Sequence, residues 1–332
     1  MAKKQHFDWI DIAKGIAIVL VVMGHSFPDA SAVGGVRNVF LRGVHDVIYQ
    51  FHMPLMFFIS GILSGKIIKL QNGAERVAYV KDRFLRLMVP YFAIAFLYLP
   101  FKLLLSKFAN QPYDISGIWK LFLGENPDGG LWFLYVLFLA QVVMCFLVRK
   151  DNLRLSAIAS VLVATLITVF DTKWFRIDDA IFYICFVVAG LYYANNGTFE
   201  KKMSLGATSI AGLLLVVSVS VFLLTESLYC RLFSGFFGTA LIIGVSRNIN
   251  VHTIIGRTLT TLGQYTMDIY IFHGILMVMV RILFYSVLGW NYYLCCAILF
   301  FVGLVVPVLL SKYIVRKVPL FRCVFLGDFK KK

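Results

Sequence analysis

Asp11-Ile12-Ala13-Lys14-Gly15-Ile16-Ala17-Ile18-Val19-Leu20-Val21-Val22-Met23-Gly24-His25 is an apolar run with three ionisable side chains set into it. As an α-helix it turns about 100° and rises about 1.5 Å per residue. Lys14 and His25 then share one face, roughly 16 Å apart along the axis. Asp11 sits a turn below Lys14 on nearly the same stripe. Charges inside a bilayer are costly and face a protein interior or a wet cavity. The run therefore reads as a membrane-spanning helix whose stripe of Asp11, Lys14 and His25 belongs to a functional site.

The rest of the chain agrees with a membrane protein. Of its 332 residues 60% are hydrophobic and 15% charged, against about 25% charged in ordinary globular chains. The apolar runs are long and continuous, which predicts an all-α polytopic bundle and excludes a β-barrel's short alternating segments. The net charge is +15, yet no zinc-finger, RNP or basic-zipper signature accompanies it, so no nucleic acid partner is expected. The six cysteines (145, 185, 230, 295, 296 and 323) fall mostly in apolar runs and form neither a disulfide framework nor a metal-ligand pattern. With Asp11 and Lys14 inside the first run and no small-residue cleavage site after it, that run is expected to stay as the first span.

Ten spans are expected, over 9–27, 45–65, 87–106, 131–148, 153–171, 180–194, 204–224, 228–246, 265–288 and 292–314, with a short interfacial helix at 251–263. Lys3 and Lys4, the basic residues between 66 and 86, Arg149, Lys150, Arg154, Lys201, Lys202, Arg247, Arg257 and the basic tail ending in Lys330, Lys331 and Lys332 fall on one side of this layout. Arg37, Arg42, Lys107, Lys120, Lys173, Arg176 and Arg231 fall on the other. The positive-inside rule puts the richer side in the cytoplasm and predicts an N-in, C-in chain. The connecting segments are too short for a soluble domain, so residues 1–332 read as a single transmembrane domain, without internal repeats.

Several polar residues are candidates for chemistry. His25 closes the first span at its extracytoplasmic end, where a histidine can take and give a proton near neutral pH. His52, in Gln50-Phe51-His52-Met53-Pro54-Leu55, is expected at similar depth, the two serving as base and electrophile; a metal pair lacks an obvious third ligand, and no metal is expected. Pro54 frees a helix carbonyl, which is tolerated beside a cavity. Gly61 and Gly65 form a small-residue packing pattern. Arg83 and Arg86 share a helix face before the third span and, with Lys81 and Arg76, make a cationic patch suited to phosphates. The same pattern also serves as a topology signal or a contact to anionic lipid. His273 is expected in the cavity, about 140° around its helix from Asp268, each finding its partner on another helix. Trp132 and Tyr135 follow Asn126-Pro127-Asp128-Gly129-Gly130 and read as an interfacial aromatic belt or as rings that stack on a sugar. His6 and His252 read as solvated loop residues.

In the order and spacing of these motifs the chain resembles the acyltransferase-3 family of bacterial integral-membrane O-acyltransferases, in its short form, and within it members likened to fucose 4-O-acetylases. The resemblance rests on Lys14 with ten residues before His25, on Phe51-His52-Met53-Pro54-Leu55 leading to Phe58-Ile59-Ser60-Gly61, and on Arg83-x-x-Arg86 followed by Pro90-Tyr91. Leu131-Trp132-Phe133 and Leu262-Gly263-x-Tyr265-Thr266 leading to Ile269-Tyr270 and His273 complete it. In that subgroup Lys14 stands where many relatives have Arg. The resemblance implies transfer of an acyl group, usually acetyl, from cytoplasmic acetyl-CoA to a hydroxyl of a surface or lipid-linked carbohydrate, in a bacterial inner membrane. His25 would be the essential histidine, as base or as acyl acceptor, with Lys14 as its partner. Asp11 would offset the burial of Lys14, and Arg83 and Arg86 would face CoA. His52, Trp132, Tyr135 and His273 are expected around the cavity. The implied partners are acyl-CoA, a carbohydrate acceptor and membrane lipid, and a homo-oligomer is compatible with the sequence. The competing reading is a transporter or flippase of a lipid-linked saccharide, which would also carry buried charges.

Overall fold

Helices account for all the regular structure among the described residues. The computed structural model describes residues 7–30, 32, 35–104, 115–168, 176–197, 199–225 and 228–329. His6, the loop lysines Lys3, Lys4, Lys107, Lys173 and Lys330 to Lys332, and the expected span ends 105–106 and 169–171 lie outside the described residues.

In chain order the helices are α1 (Asp8–His25), α2 (Val39–Ile62), α3 (Gly73–Leu104), α4 (Trp132–Leu147), α5 (Leu153–Ile167) and α6 (Ile177–Asn195). After them come α7 (Leu205–Thr225), α8 (Leu228–Asn248), α9 (Ile254–Gln264), α10 (Thr266–Arg281), α11 (Tyr292–Leu310) and α12 (Pro319–Leu326). The hydrogen-bond ladder widens to the π pattern over Ile282–Val287 and Ser311–Val315, beyond the ends of α10 and α11. Eight helices among the described residues are long and apolar enough to cross a membrane: α2, α3, α4, α6, α7, α8, α10 and α11. Of the ten expected spans, eight meet this measure of length and composition and two, α5 and α1, do not. α5 has 15 residues, and at about 1.5 Å per residue it falls short of a hydrocarbon core roughly 30 Å thick. α1 has 18 residues, but Asp8, Asp11 and Lys14 set it apart from the apolar eight.

α1 lies inside the bundle, touching α2, α8, α9, α10 and α11. Its neighbours therefore enclose Asp11 and much of Lys14, while Asp8 at its start is exposed. α7 takes the opposite role: Leu213, Val216, Val217 and Leu224 are all exposed, an apolar face that suits lipid and would be a liability in water.

Two reciprocal glycine contacts set the spacing of the inner helices. A Cβ on Gly15 would collide with the backbone of Leu259 in α9, and one on Gly263 would collide with the backbone of Asp11. α9, expected as an interfacial helix, thus packs lengthwise on the charged half of α1. Likewise Gly61 of α2 meets the backbone of Val187, and Gly190 of α6 meets that of Phe58. Of the expected small-residue pair, Gly61 is at a helix contact, whereas a Cβ on Gly65 would meet nothing within 4 Å. Small residues let helix backbones approach where no hydrophobic drive separates helix from lipid. Gly61→Ala and Gly263→Ala are each expected to destabilise the detergent-purified protein by about 1–3 kcal/mol through overpacking, with Gly65→Ala neutral; thermal unfolding of the three variants checks this.

Candidate active site

The site begins where α1 stops. Ser26 caps α1, its hydroxyl donating to the Val22 carbonyl at 2.6 Å, and His25 is the last helical residue. On α2, His45, Tyr49 and His52 are spaced four and three apart, so they fall on one helix face. Tyr49 stacks on His45 at 3.9 Å between ring centroids, lies 4.8 Å from His52 and meets His25 edge-on at 6.2 Å. From α10, the His273 ring reaches within 5.4 Å of His25. Three histidines thus meet one tyrosine, and a fourth joins them through His25.

Their hydrogen bonds assign the tautomers of two of them. A carbonyl oxygen only accepts, so the ring nitrogen facing it must carry the proton. His52 Nδ1 donates to the Ile48 carbonyl at 2.8 Å, and His273 Nδ1 donates to the Tyr270 carbonyl at 2.8 Å. In the neutral rings Nε2 is then the acceptor. The His25 ring makes no hydrogen bond among the described residues and is exposed where it faces a cavity of about 300 Å³.

Tyr49, Tyr98, Lys102, Asp128, His273 and Arg281 line that cavity together with His25. Asp128 comes from the loop between α3 and α4, which three side chains pin down. Asn126 donates to the Tyr91 carbonyl at 3.1 Å, Lys102 Nζ donates to the Pro127 carbonyl at 2.8 Å, and the Tyr270 hydroxyl donates to the Gly130 carbonyl. The Asp128 carboxylate accepts the Gly130 N–H at 3.0 Å and lies against Gly274, whose Cβ would come within 2.6 Å of it. Burial pushes the Asp128 carboxyl up, opposed by the nearby His273, by the Gly130 N–H and by Lys102.

The residues expected from the sequence fall in several places. His25 and His273 line the cavity. His52 does not line it; it is buried and meets Tyr49, which does. Asp11 and Lys14 form the expected ion pair at 2.5 Å, but neither lines the cavity, so the stripe on α1 does not continue as one cavity wall. Trp132 packs against Phe57 and Tyr183 beneath the Arg176 guanidinium, and the Tyr135 hydroxyl donates to the Phe122 carbonyl at 3.1 Å. Neither ring is among the residues that line the cavity.

Arg83 and Arg86 lie elsewhere again. Arg83 reaches Asp82 and lies over the Tyr79 ring at 5.2 Å, Lys81 is exposed, and Arg86 donates to the Leu326 carbonyl at the end of α12 at 2.8 Å. Asp268, buried at the start of α10, finds the partner expected on another helix: Ser311 and Arg316 beyond α11 both donate to it, Arg316 at 2.7 Å through its terminal nitrogen. Sequence reasoning misses His45, Tyr49, Asp128, Lys102 and Arg281 as members of the site. The spacing of His45, Tyr49 and His52 is a usable signal for the first two. Asp128 reads as an ordinary Asp-Gly-Gly turn, and only the fold turns it inward.

A helical bundle of segments apolar enough to cross a membrane, with a histidine-lined cavity, defines the class. The chain belongs to the acyltransferase-3 family, whose acyltransferase-domain profile matches residues 7–312. Nodulation protein NolL of Sinorhizobium fredii is 36% identical over 80 residues, which is 24% of this chain and 21% of NolL, so the similarity spans about a fifth of that relative. No solved structure matches the chain.

The Asp11–Lys14 pair is sheltered, the side chains being 7% and 23% exposed. Lys14→Met alone is expected to cost on the order of 3 kcal/mol by taking the ammonium away from a buried carboxylate, with Asp11→Leu/Lys14→Met recovering most of it. A double-mutant cycle on thermal stability measures the difference.

Proposed function

We propose that this protein is a membrane O-acetyltransferase that moves an acetyl group from cytoplasmic acetyl-CoA to a hydroxyl of a surface or lipid-linked carbohydrate. The observation that carries the reading is the His25 imidazole, unbonded among the described residues and facing a cavity, in a chain of an acyltransferase family. The expected setting is a bacterial inner membrane, with both termini in the cytoplasm.

In this mechanism His25 removes the proton from the acceptor hydroxyl as the oxygen attacks the thioester carbonyl. The C–O bond forms, the C–S bond breaks, and the CoA thiolate leaves and takes back from the His25 imidazolium the proton that makes it a thiol. Asp128, which lines the same cavity and interacts with His273, is the carboxylate that would favour a cation in that part of the site. An alternative order, with His25 first taking the acyl group, uses the same side chains. Arg83 and Arg86 are the proposed ligands of the CoA phosphates, as guanidinium groups bind phosphate bidentately.

The test uses inside-out membrane vesicles supplied with labelled acetyl-CoA. His25→Ala should lower label transfer to glycan by a factor of about 10² or more, the range of general acid–base contributions. Transfer at the wild-type level would refute the role of His25. Arg83→Ala with Arg86→Ala should weaken acetyl-CoA binding about tenfold or more, since charged hydrogen bonds are lost, while acceptor saturation stays unchanged; equal losses for donor and acceptor would count against the phosphate role.

A further inference from the structure

When an oxygen attacks a thioester, the carbonyl oxygen gains negative charge, and a base that has just taken a proton elsewhere does not hold that charge. A hydrogen-bond donor fixed in place beforehand does. The groups in contact with His25 indicate which side chain can be that donor.

Among the described residues, the His25 ring meets His273 of α10 at 5.4 Å and Tyr49 of α2 at 6.2 Å between centroids. His273 gives its Nδ1 proton to the Tyr270 carbonyl, so Nε2 of the neutral ring accepts. Asp128, across the cavity lining, accepts as well, from the Gly130 N–H. Tyr49 carries a phenolic hydroxyl, which is protonated and able to donate at neutral pH. That hydroxyl makes no hydrogen bond among the described residues, and it is not one of the sealed polar atoms. The residue lines the cavity that His25 faces.

The Tyr49 ring is held from several sides. His45, one turn before it, stacks on it at 3.9 Å, and His52, one turn after it, lies at 4.8 Å with Nδ1 tied to the Ile48 carbonyl. On the α1 side, a Cβ on Gly24 would come within 2.8 Å of Tyr49 Cε2. Cε2 is bonded to the carbon that bears the hydroxyl, so a glycine before His25 is what lets the phenol end of the ring pack against the end of α1. Gly24 makes the room and His25 supplies the base, and the two are adjacent in the chain. A phenylalanine would fill the same space; the hydroxyl is the part that packing does not require.

We infer that Tyr49 is the oxyanion donor of the acyl transfer. As the acceptor oxygen adds to the thioester carbon, an electron pair of the C=O bond moves onto the carbonyl oxygen, which accepts a hydrogen bond from the Tyr49 hydroxyl. The pair returns as the C–S bond breaks, and Tyr49 keeps its proton throughout. The largely apolar wall around the cavity, with Phe27, Phe101, Met277 and Leu299, strengthens such a bond. This inference rests on the acyltransferase reading.

The test is Tyr49→Phe in inside-out membrane vesicles supplied with labelled acetyl-CoA, with the glycan of the vesicles as acceptor and the rate corrected for the amount of protein. The maximal rate should fall by a factor of about 10² to 10³, the cost of losing one oxyanion donor. The acetyl-CoA concentration that gives half the maximal rate should stay within about twofold, because the bond is made only in the transition state. Thermal unfolding of the purified variant should match the wild type, since the ring is retained. A wild-type rate would overturn the inference and leave Tyr49 as packing. An unchanged maximal rate with a raised half-saturating concentration would overturn it too, as the signature of ground-state binding. So would a lowered Tm, because the hydroxyl would then have a structural partner. Wild-type vesicles that transfer no label would refute the acyltransferase reading and this inference together, whereas transfer by the wild type that Tyr49→Phe retains would refute the inference alone.

Discussion

An ionised side chain inside a bilayer must be enclosed by protein, and that requirement organises this molecule. α1 carries Asp11 and Lys14 in its first half, and the fold places it at the centre, wrapped by five other helices. Enclosure demands close approach, and the glycines at positions 15 and 263 let α9 lie backbone to backbone along the charged half. Once α1 is fixed in this way its far end is fixed too, and His25 arrives beside α2 and α10 rather than at the lipid boundary.

The second consequence is rigidity at the site. His52 and His273 each tie one ring nitrogen to a carbonyl of their own helix, so their orientation follows the helix. Tyr49 fills the space between His45, His52 and His25. The loop bearing Asp128 is held from α3 and from α10 at once. The His25 ring is thus bordered by rings held in place by hydrogen bonds to their own helices or by stacking.

Much of this is legible in the sequence, and the remainder has physical reasons for being hidden. Helical periodicity exposes the α1 stripe, and the apolar runs mark nearly every helix, because burial in lipid leaves a strong compositional signal. Charge excess inside α1 and the shortness of α5 blur the span count, since enclosure by protein can replace hydropathy. Trp132 and Tyr135 suit an interface or a sugar on sequence grounds, but whether an aromatic ring meets a ligand or its own core depends on neighbours such as Tyr183 and Phe122. Arg86 and Leu326 meet across 240 positions of chain, and the convergence of Lys102, Asp128 and Arg281 likewise depends on which helices are adjacent, which no local pattern encodes.

The widened ladder after Arg281 also sets a phase. His273, Met277 and Arg281 succeed one another at four-residue intervals on the cavity side of α10. A π turn accommodates an additional residue relative to an α turn, so everything beyond it is displaced by about 100° around the axis. Removing a single residue from 282–287 would leave the apolar character of the span untouched and yet re-aim the segment that leads to Asn291, whose side chain caps α11. The helix here keeps time by residue count rather than by composition, and kinship in this stretch is better judged by spacing than by similarity of letters.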